Sequence, residues 1–509
     1  MVTAVLLLGG LLAASTAPAL AQTDNGEWRS YGGDIANTRY APLDRITAGN
    51  FKDLEIAWSV KTANFGPEPE FNFQSTPLMV GGVLYSTAGS RRAAIAMDAG
   101  TGELLWMHRL NESWRYTGNA GVWGQISADL ELGIVYLPTE MPTNDYYGGH
   151  RHGDNLFSDS IVAVDIDTGE RLWHFQAVHH DVWDWDFPCA PVLVDVVIDG
   201  VERKLIAQPS KQAWLYVLDR ETGEPIWPIE EREVEQSDVP GELLSLTQPF
   251  PTRPPPYDRQ GVDEGDLIDF TPELHARALE LVSNFRLGPI FTPPVVADPE
   301  GPYATLMLPS AGGGASWPRG LGRSGDRHLL PVLLHPDHRA RPCARPGALG
   351  HGLHPGNPPG VPARRRTLSV RGLPLVKPPW GRISAIDLKT GDILWQIPHG
   401  ETPDNVRDHP ALRGVDIPRT GRVGRVGTLI TKSLLIAAEP GTFTTPSGEE
   451  GAMLRAYDKA SGEEVGAVYM PAGVSGSPMT YLHEGRQHLV MAIGGGGFAG
   501  ELIAYRLPE

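Results

Sequence analysis

Ten residues concentrate the chemistry of this chain. They read HHDVWDWDFP, His179 to Pro188, and hold two imidazoles, three carboxylates and two indoles. If VWDWDF is a strand, Asp184 and Asp186 project to one face and Trp183 and Trp185 to the other. Two carboxylates on one face can act as a general base or hold a hard cation. They can equally be the satisfied corner of a turn. Hard cations such as calcium prefer oxygen, so His179 and His180 read as residues behind such a site or facing a substrate.

Elements that could position these residues come from a repeat. AMDAGTGELLW (Ala96 to Trp106), AVDIDTGERLW (Ala163 to Trp173), VLDRETGEPIW (Val217 to Trp227), AIDLKTGDILW (Ala385 to Trp395) and AYDKASGEEVG (Ala456 to Gly466) share one pattern. An Asp is followed three residues on by Thr or Ser, then by Gly. In the first four, a Trp stands eight residues after the Asp. An apolar strand ending at Asp, a side-chain-capped turn, a Gly that adopts the angle other residues resist, and a second strand together make a hairpin. The Trp of that second strand then points between neighbouring sheets. Self-similarity over tens of residues signals a solenoid or propeller, and antiparallel hairpins favour the propeller. TPELHARALELVSNF is the main helical stretch and reads as an insertion between blades.

Composition bounds the rest. The 509 residues carry a net charge of −18, which argues against a nucleic-acid partner. Gly (59) and Pro (46) are abundant enough to supply many turns. The two cysteines, Cys189 and Cys343, imply no disulfide framework. The first residues form an apolar run ending in Ala19-Leu20-Ala21, as a secretory signal peptide does. That run is shorter than the ~20 residues a bilayer span needs. Residues 1–21 therefore read as a leader, and 22–509 as one β-propeller domain that is periplasmic or secreted.

The repeats, the stretch EWRSYGGDIANTRYAPLDRITAGNFKDLEIAW and HHDVWDWD occur together. In combination they resemble the quinoprotein alcohol and glucose dehydrogenases, which use pyrroloquinoline quinone (PQQ) with Ca²⁺ or another divalent or lanthanide ion. The resemblance runs from about Glu27 to the end. It implies an all-β fold, an eight-bladed propeller of four-stranded sheets that is incomplete here.

The resemblance also assigns residues. It places the catalytic base, which approaches the metal, at Asp184, and a second acidic metal ligand at Asp186. Lys211, in AQPSKQAWLYVLD, falls where the family has a cation reaching the quinone oxygens; a lone lysine is otherwise usually just solvated. Trp123 matches the stacking floor, and Gln74 a polar cofactor contact. Ser316 and Trp317 match a place where relatives often have Asn-Trp. Glu140 stands beside the position of a metal-binding Asn, which Met141 occupies here. Ala128-Asp129 replaces the usual Tyr-Asp.

Two places depart from the pattern. Residues 319–371 contain ten Arg and two Asp but no Lys, Glu, Tyr, Phe, Trp or Ile. Such a stretch reads either as a basic disordered linker or as a shifted reading frame in GC-rich DNA, with about one blade's strands missing. In addition, TGELLWMHRLNESWRYTGNAGVW runs straight from one blade to the floor segment. In the family a long region lies there, carrying further blades, an acidic metal ligand and an Arg for a PQQ carboxylate.

The function implied is a PQQ-dependent oxidoreductase acting on an alcohol or sugar hydroxyl. The alternatives are a catalytically impaired relative and a non-catalytic propeller scaffold. No C-x-x-C-H haem attachment motif is present, so electrons would pass to a separate acceptor, a cytochrome or a membrane quinone.

Overall fold

A computed structural model describes Arg29 and residues 78–88, 93–109, 120–142, 145–298, 300–316, 329–334, 341–345, 368–424, 426–430, 434–474, 478–483, 486–495 and 498–506. The expected leader over residues 1–21, Gln74 and Trp317 lie outside these. Among the described residues no helix is long and apolar enough to cross a membrane.

The repeats form the expected turns. The first Asp of the motif, Asp98, accepts the Gly100 and Thr101 amides at 3.0 and 2.8 Å and the Thr101 hydroxyl at 3.0 Å. Asp165, Asp219 and Asp458 repeat these bonds with their own turn residues. One carboxylate thus satisfies turn amides that would otherwise be left to water, and the glycine after it takes a left-handed φ of +71° at Gly169. Four of the turns join two antiparallel strands. After the Asp219 turn the partner is a single bridge, Leu218 with Pro225, because Pro225 has no amide to extend a ladder.

Six antiparallel sheets of blade type follow one another among the described residues. The first two are four-stranded, over Leu78–Arg109 and Ser127–Gln176. The third is the Val192–Ile198, Val201–Pro209 and Leu215–Asp219 sheet. The fourth pairs Leu329–Leu334 with Arg382–Asp387 and Asp392–Pro398, and the last two lie in Thr428–Met470 and Met479–Arg506.

What locks one blade to the next is a tryptophan against a glycine. A Cβ built on Gly169 would stand 2.9 Å from the Trp106 indole, and one on Gly223 only 2.5 Å from that of Trp173. The same contact recurs at 3.1 Å between Gly391 and Trp227 and at 2.7 Å between Gly462 and Trp395. Each indole therefore lies against the turn of the next repeat, where any side chain would push it out. Between the blades, apolar cores such as Ile134, Tyr136, Ile161, Trp173, Ile206 and Tyr216 close the gap.

The segment between the third and fourth blades carries the expected helix, Pro272–Val282, opened by the Thr271 hydroxyl accepting the Leu274 amide. It also carries a hairpin, Ile229–Glu233 with Thr247–Pro251. Within residues 319–371, Leu329–Leu334 is a strand on Arg382–Asp387, and Arg341–Arg345 lies between Val295–Val296 and Thr305–Met307.

Trp173→Ala is expected to cost ~3–5 kcal/mol of stability, because a buried aromatic is lost and a cavity is left. The same truncation at its exposed neighbour Leu172 should stay within ~0.5 kcal/mol. Denaturant unfolding of the two variants checks the docking contact.

Candidate active site

HHDVWDWDFP is not a strand. Residues 181–189 run as an irregular segment between the Arg171–Gln176 and Val192–Ile198 strands. The cause is Asp181. Its side chain is fully buried, and its two oxygens accept the Trp183 and Trp185 amides at 2.6 and 2.7 Å. Those amides would otherwise seek a neighbouring strand. Asp184, between them, is held at φ +61°, a left-handed angle uncommon for a side-chain-bearing residue. The two-faced arrangement expected of a strand survives by this other route. Trp183 and Trp185 stack on each other with centroids 5.3 Å apart, both buried against Phe291. Asp184 and Asp186 turn away from that stack.

Both meet Lys211. Its Nζ donates to the Asp184 backbone oxygen and Oδ1 at 2.9 Å each, and to Asp186 Oδ2 at 2.8 Å. Three acceptors match the three protons of an ammonium. The lysine side chain is 5% exposed, whereas Asp184 keeps 25% of its surface open. Lys211 sits in a tight turn after the Val201–Pro209 strand. The 313–315 loop closes over it, with the Gly314 amide on the Lys211 carbonyl at 2.9 Å. A Cβ at Gly313 would come within 2.5 Å of Lys211 Cγ, so the glycine-rich loop is what admits the side chain. Ser316, next along that loop, is buried.

Trp123 joins the pair from the segment before the second blade. Its indole Nε1 donates to Asp186 Oδ2 at 3.1 Å, and the Met141 amide donates to Asp186 Oδ1 at 2.9 Å. Gly124 permits the approach, since a Cβ there would stand 2.5 Å from the Pro188 carbonyl.

The electrostatics follow from this crowding. Burial disfavours the Lys211 ammonium, but Asp184 and Asp186 more than compensate and raise its pKa. Burial pushes the Asp184 carboxyl well above the usual range; Lys211 opposes that shift, while Asp186 and Asp145 add to it. Asp181 is pushed up to about 6 by burial, against the two amide bonds it accepts. A part-exposed carboxylate whose basicity is raised by burial suits proton abstraction.

The other expected residues make the following contacts. Glu140 Oε1 accepts the Gly121 amide at 3.1 Å, and Glu140 itself directly precedes Met141, whose amide binds Asp186. His180 is fully buried between the Gly153 carbonyl and Glu242, at 2.7 Å from each. His179 bonds Gln176 and Glu231. Asp129 holds Arg220 at 2.6 Å, joining the second blade to the third. The sequence reading missed Asp181; the signal available was an Asp standing two and four residues before a pair of tryptophans.

As to bound groups, the donors here are hard oxygens, and two carboxylates face one ammonium. That excess of negative charge fits a hard cation. Among the described residues no set of three or more His, Cys, Asp or Glu is arranged around one point; Asp184 and Asp186 are the carboxylates that meet on Lys211. An indole beside them fits a planar aromatic cofactor.

Comparison with known proteins shows the family of the chain. A family model described as the PQQ glucose/ethanol/alcohol dehydrogenase β-propeller domain matches residues 28–114 and 108–489. A quinoprotein glucose dehydrogenase of Escherichia coli (strain K12) is 32% identical over 480 residues, 87% of this chain and 57% of the relative. A probable quinate dehydrogenase (quinone) of Xanthomonas campestris pv. juglandis is 31% identical over 459 residues, 85% and 55% of the two chains. The chain thus spans little more than half the length of these relatives. Among solved structures, a quinohemoprotein alcohol dehydrogenase from Comamonas testosteroni shares the fold, with a TM-score of 0.50 at 18% identity over 92% of this chain and 77% of that one.

Lys211→Met removes the cation between two converging carboxylates and is expected to destabilise the protein by ~3 kcal/mol. Adding Asp184→Asn should restore part of that loss, since one of the unbalanced charges is gone. Guanidinium unfolding of the single and double variants reads both effects; a double variant no more stable than the single one contradicts the pairing.

Proposed function

The chain belongs to the PQQ-dependent glucose/ethanol/alcohol dehydrogenase β-propeller family, and on that premise we propose that it is a periplasmic dehydrogenase oxidising an alcohol or sugar hydroxyl. The observation that carries the reading is the convergence of Asp184, Asp186 and Lys211 beside Trp123. Relatives named for glucose and quinate oxidation support the substrate class.

The residues divide the work as follows. Asp184, part-exposed, accepts the proton of the substrate hydroxyl as the carbinol carbon gives up a hydride and becomes a carbonyl carbon. PQQ, when bound, supplies the two-electron acceptor, and a Ca²⁺-like or lanthanide ion held by Asp184 and Asp186 supplies Lewis acidity. Lys211 contributes positive charge where negative charge develops, and it keeps both carboxylates aligned. Trp123 gives an aromatic wall, and its N–H fixes Asp186. Gln74, Ser316 and Trp317 belong to the proposed cofactor contacts, and Glu140 to the proposed metal ligands. The apolar run over residues 1–21, read as a leader, is what supports the proposed export. A cytochrome or membrane quinone is the proposed electron acceptor, since the chain has no haem attachment motif.

A second reading, a catalytically impaired relative, is favoured by one observation. The family match falls into two pieces that meet at residues 108–114, where the resemblance implies that a region carrying an Arg for PQQ is missing.

Reconstitution of the exported protein with PQQ and Ca²⁺ distinguishes the two. Dye reduction with sugars and alcohols is expected, and Asp184→Asn should lower it by about 10²- to 10⁴-fold. PQQ binding without Asp184-dependent turnover, or no binding at all, establishes the impaired relative.

A further inference from the structure

Asp181 is fully buried, and its carboxylate bonds the Trp183 and Trp185 amides rather than Lys211. We propose that Asp181 is a positioning residue: by holding the Trp183 and Trp185 amides on one carboxylate, it presents Asp184 and Asp186 together to Lys211. The proposal rests on the dehydrogenase reading above.

Three observations support it. First, Asp181 uses both oxygens on amides two and four residues ahead, at 2.6 and 2.7 Å, with no exposed surface. A chain anchored at those two points must throw the residue between them outward, and Asp184 is that residue, at φ +61°. Second, the anchor is itself fixed. Arg151, 1% exposed, donates through Nη2 to the Asp181 carbonyl. The stacked Trp183 and Trp185 rings stand on Phe291, so the segment cannot swing as a hinge. Third, the product of this geometry is exacting. The Asp184 backbone oxygen, Asp184 Oδ1 and Asp186 Oδ2 all arrive within 2.8–2.9 Å of one nitrogen. A shift of about one ångström in the turn would break that coincidence and move the base relative to any substrate.

Ring packing alone could be imagined to hold the turn, and the test separates the two causes. Asp181→Asn keeps the size of the side chain but sets its NH₂ group against one of the two amide donors. Phe291→Leu loosens the packing under the rings and leaves the carboxylate in place. In the full chain reconstituted with PQQ and Ca²⁺, Asp181→Asn should lower kcat about 10- to 100-fold. KM should stay within about twofold, the mark of an interaction that matters in the transition state. Phe291→Leu should leave kcat within about twofold. A terbium luminescence titration gives a readout free of turnover, and Asp181→Asn should weaken terbium binding about tenfold. If the wild-type chain has no activity but Asp181→Asn still weakens terbium binding, the dehydrogenase reading fails and the positioning role stands. Wild-type kcat and terbium affinity in Asp181→Asn would overturn the proposal. So would an equal kcat loss in Phe291→Leu, which would assign the positioning to packing, or a variant that no longer folds, which would make Asp181 an element of stability alone.

Discussion

One buried ammonium organises the candidate site. Lys211 loses hydration on entering the protein, a cost that only close opposite charge can offset. Asp184 and Asp186 offset it, and each would be unfavourable there without the lysine. The three groups therefore stabilise or fail together. They also come from separate parts of the fold: the carboxylates from the segment after the second blade, the lysine from a turn in the third, and Trp123 from the segment ahead of the second. Correct docking of the second blade on the third is a condition for the triple to exist.

That docking rests on contacts of a different kind. Indole on glycine is apolar and shape-determined, and it repeats along the chain with little variation, from Trp106 on Gly169 to Trp395 on Gly462. The Asp129–Arg220–Asp195 ion pairs add a polar tie across the same junction. The architecture can thus be generic while the chemistry is particular: the repeats set where the rims of the blades lie, and the irregular segments between repeats carry the groups that could react.

How much of this was legible in the sequence follows the range of the interactions. The Asp-x-x-Thr-Gly turns could be read directly, because their bonds join residues two and three apart. The tryptophan's destination between sheets could be read from its place in the motif. The pairing of Lys211 with Asp184 spans 27 residues, and no local pattern encodes it; only the family resemblance pointed there. The expectation of a strand at VWDWDF failed because alternation of polar and apolar residues was taken as pairing with a neighbouring strand, whereas the Asp181 side chain takes the amides such pairing would use. His179 and His180 drew attention by composition, and the structure gives both to hydrogen bonds within the fold. Ser316, a departure from the family pattern, is buried just after the glycines that close over Lys211.

The contact between Trp227 and Gly391 has a further consequence. These two residues belong to repeats adjacent in space, although a helix, a hairpin and the compositionally odd stretch lie between them in the chain. The third and fourth blades are therefore joined at this seam before the intervening segment is counted. Lengthening a loop whose ends are already fixed costs little, growing only with the logarithm of its length. Parts of that segment outside the Leu329–Leu334 strand and the 313–315 loop can therefore be lengthened without parting the two blades.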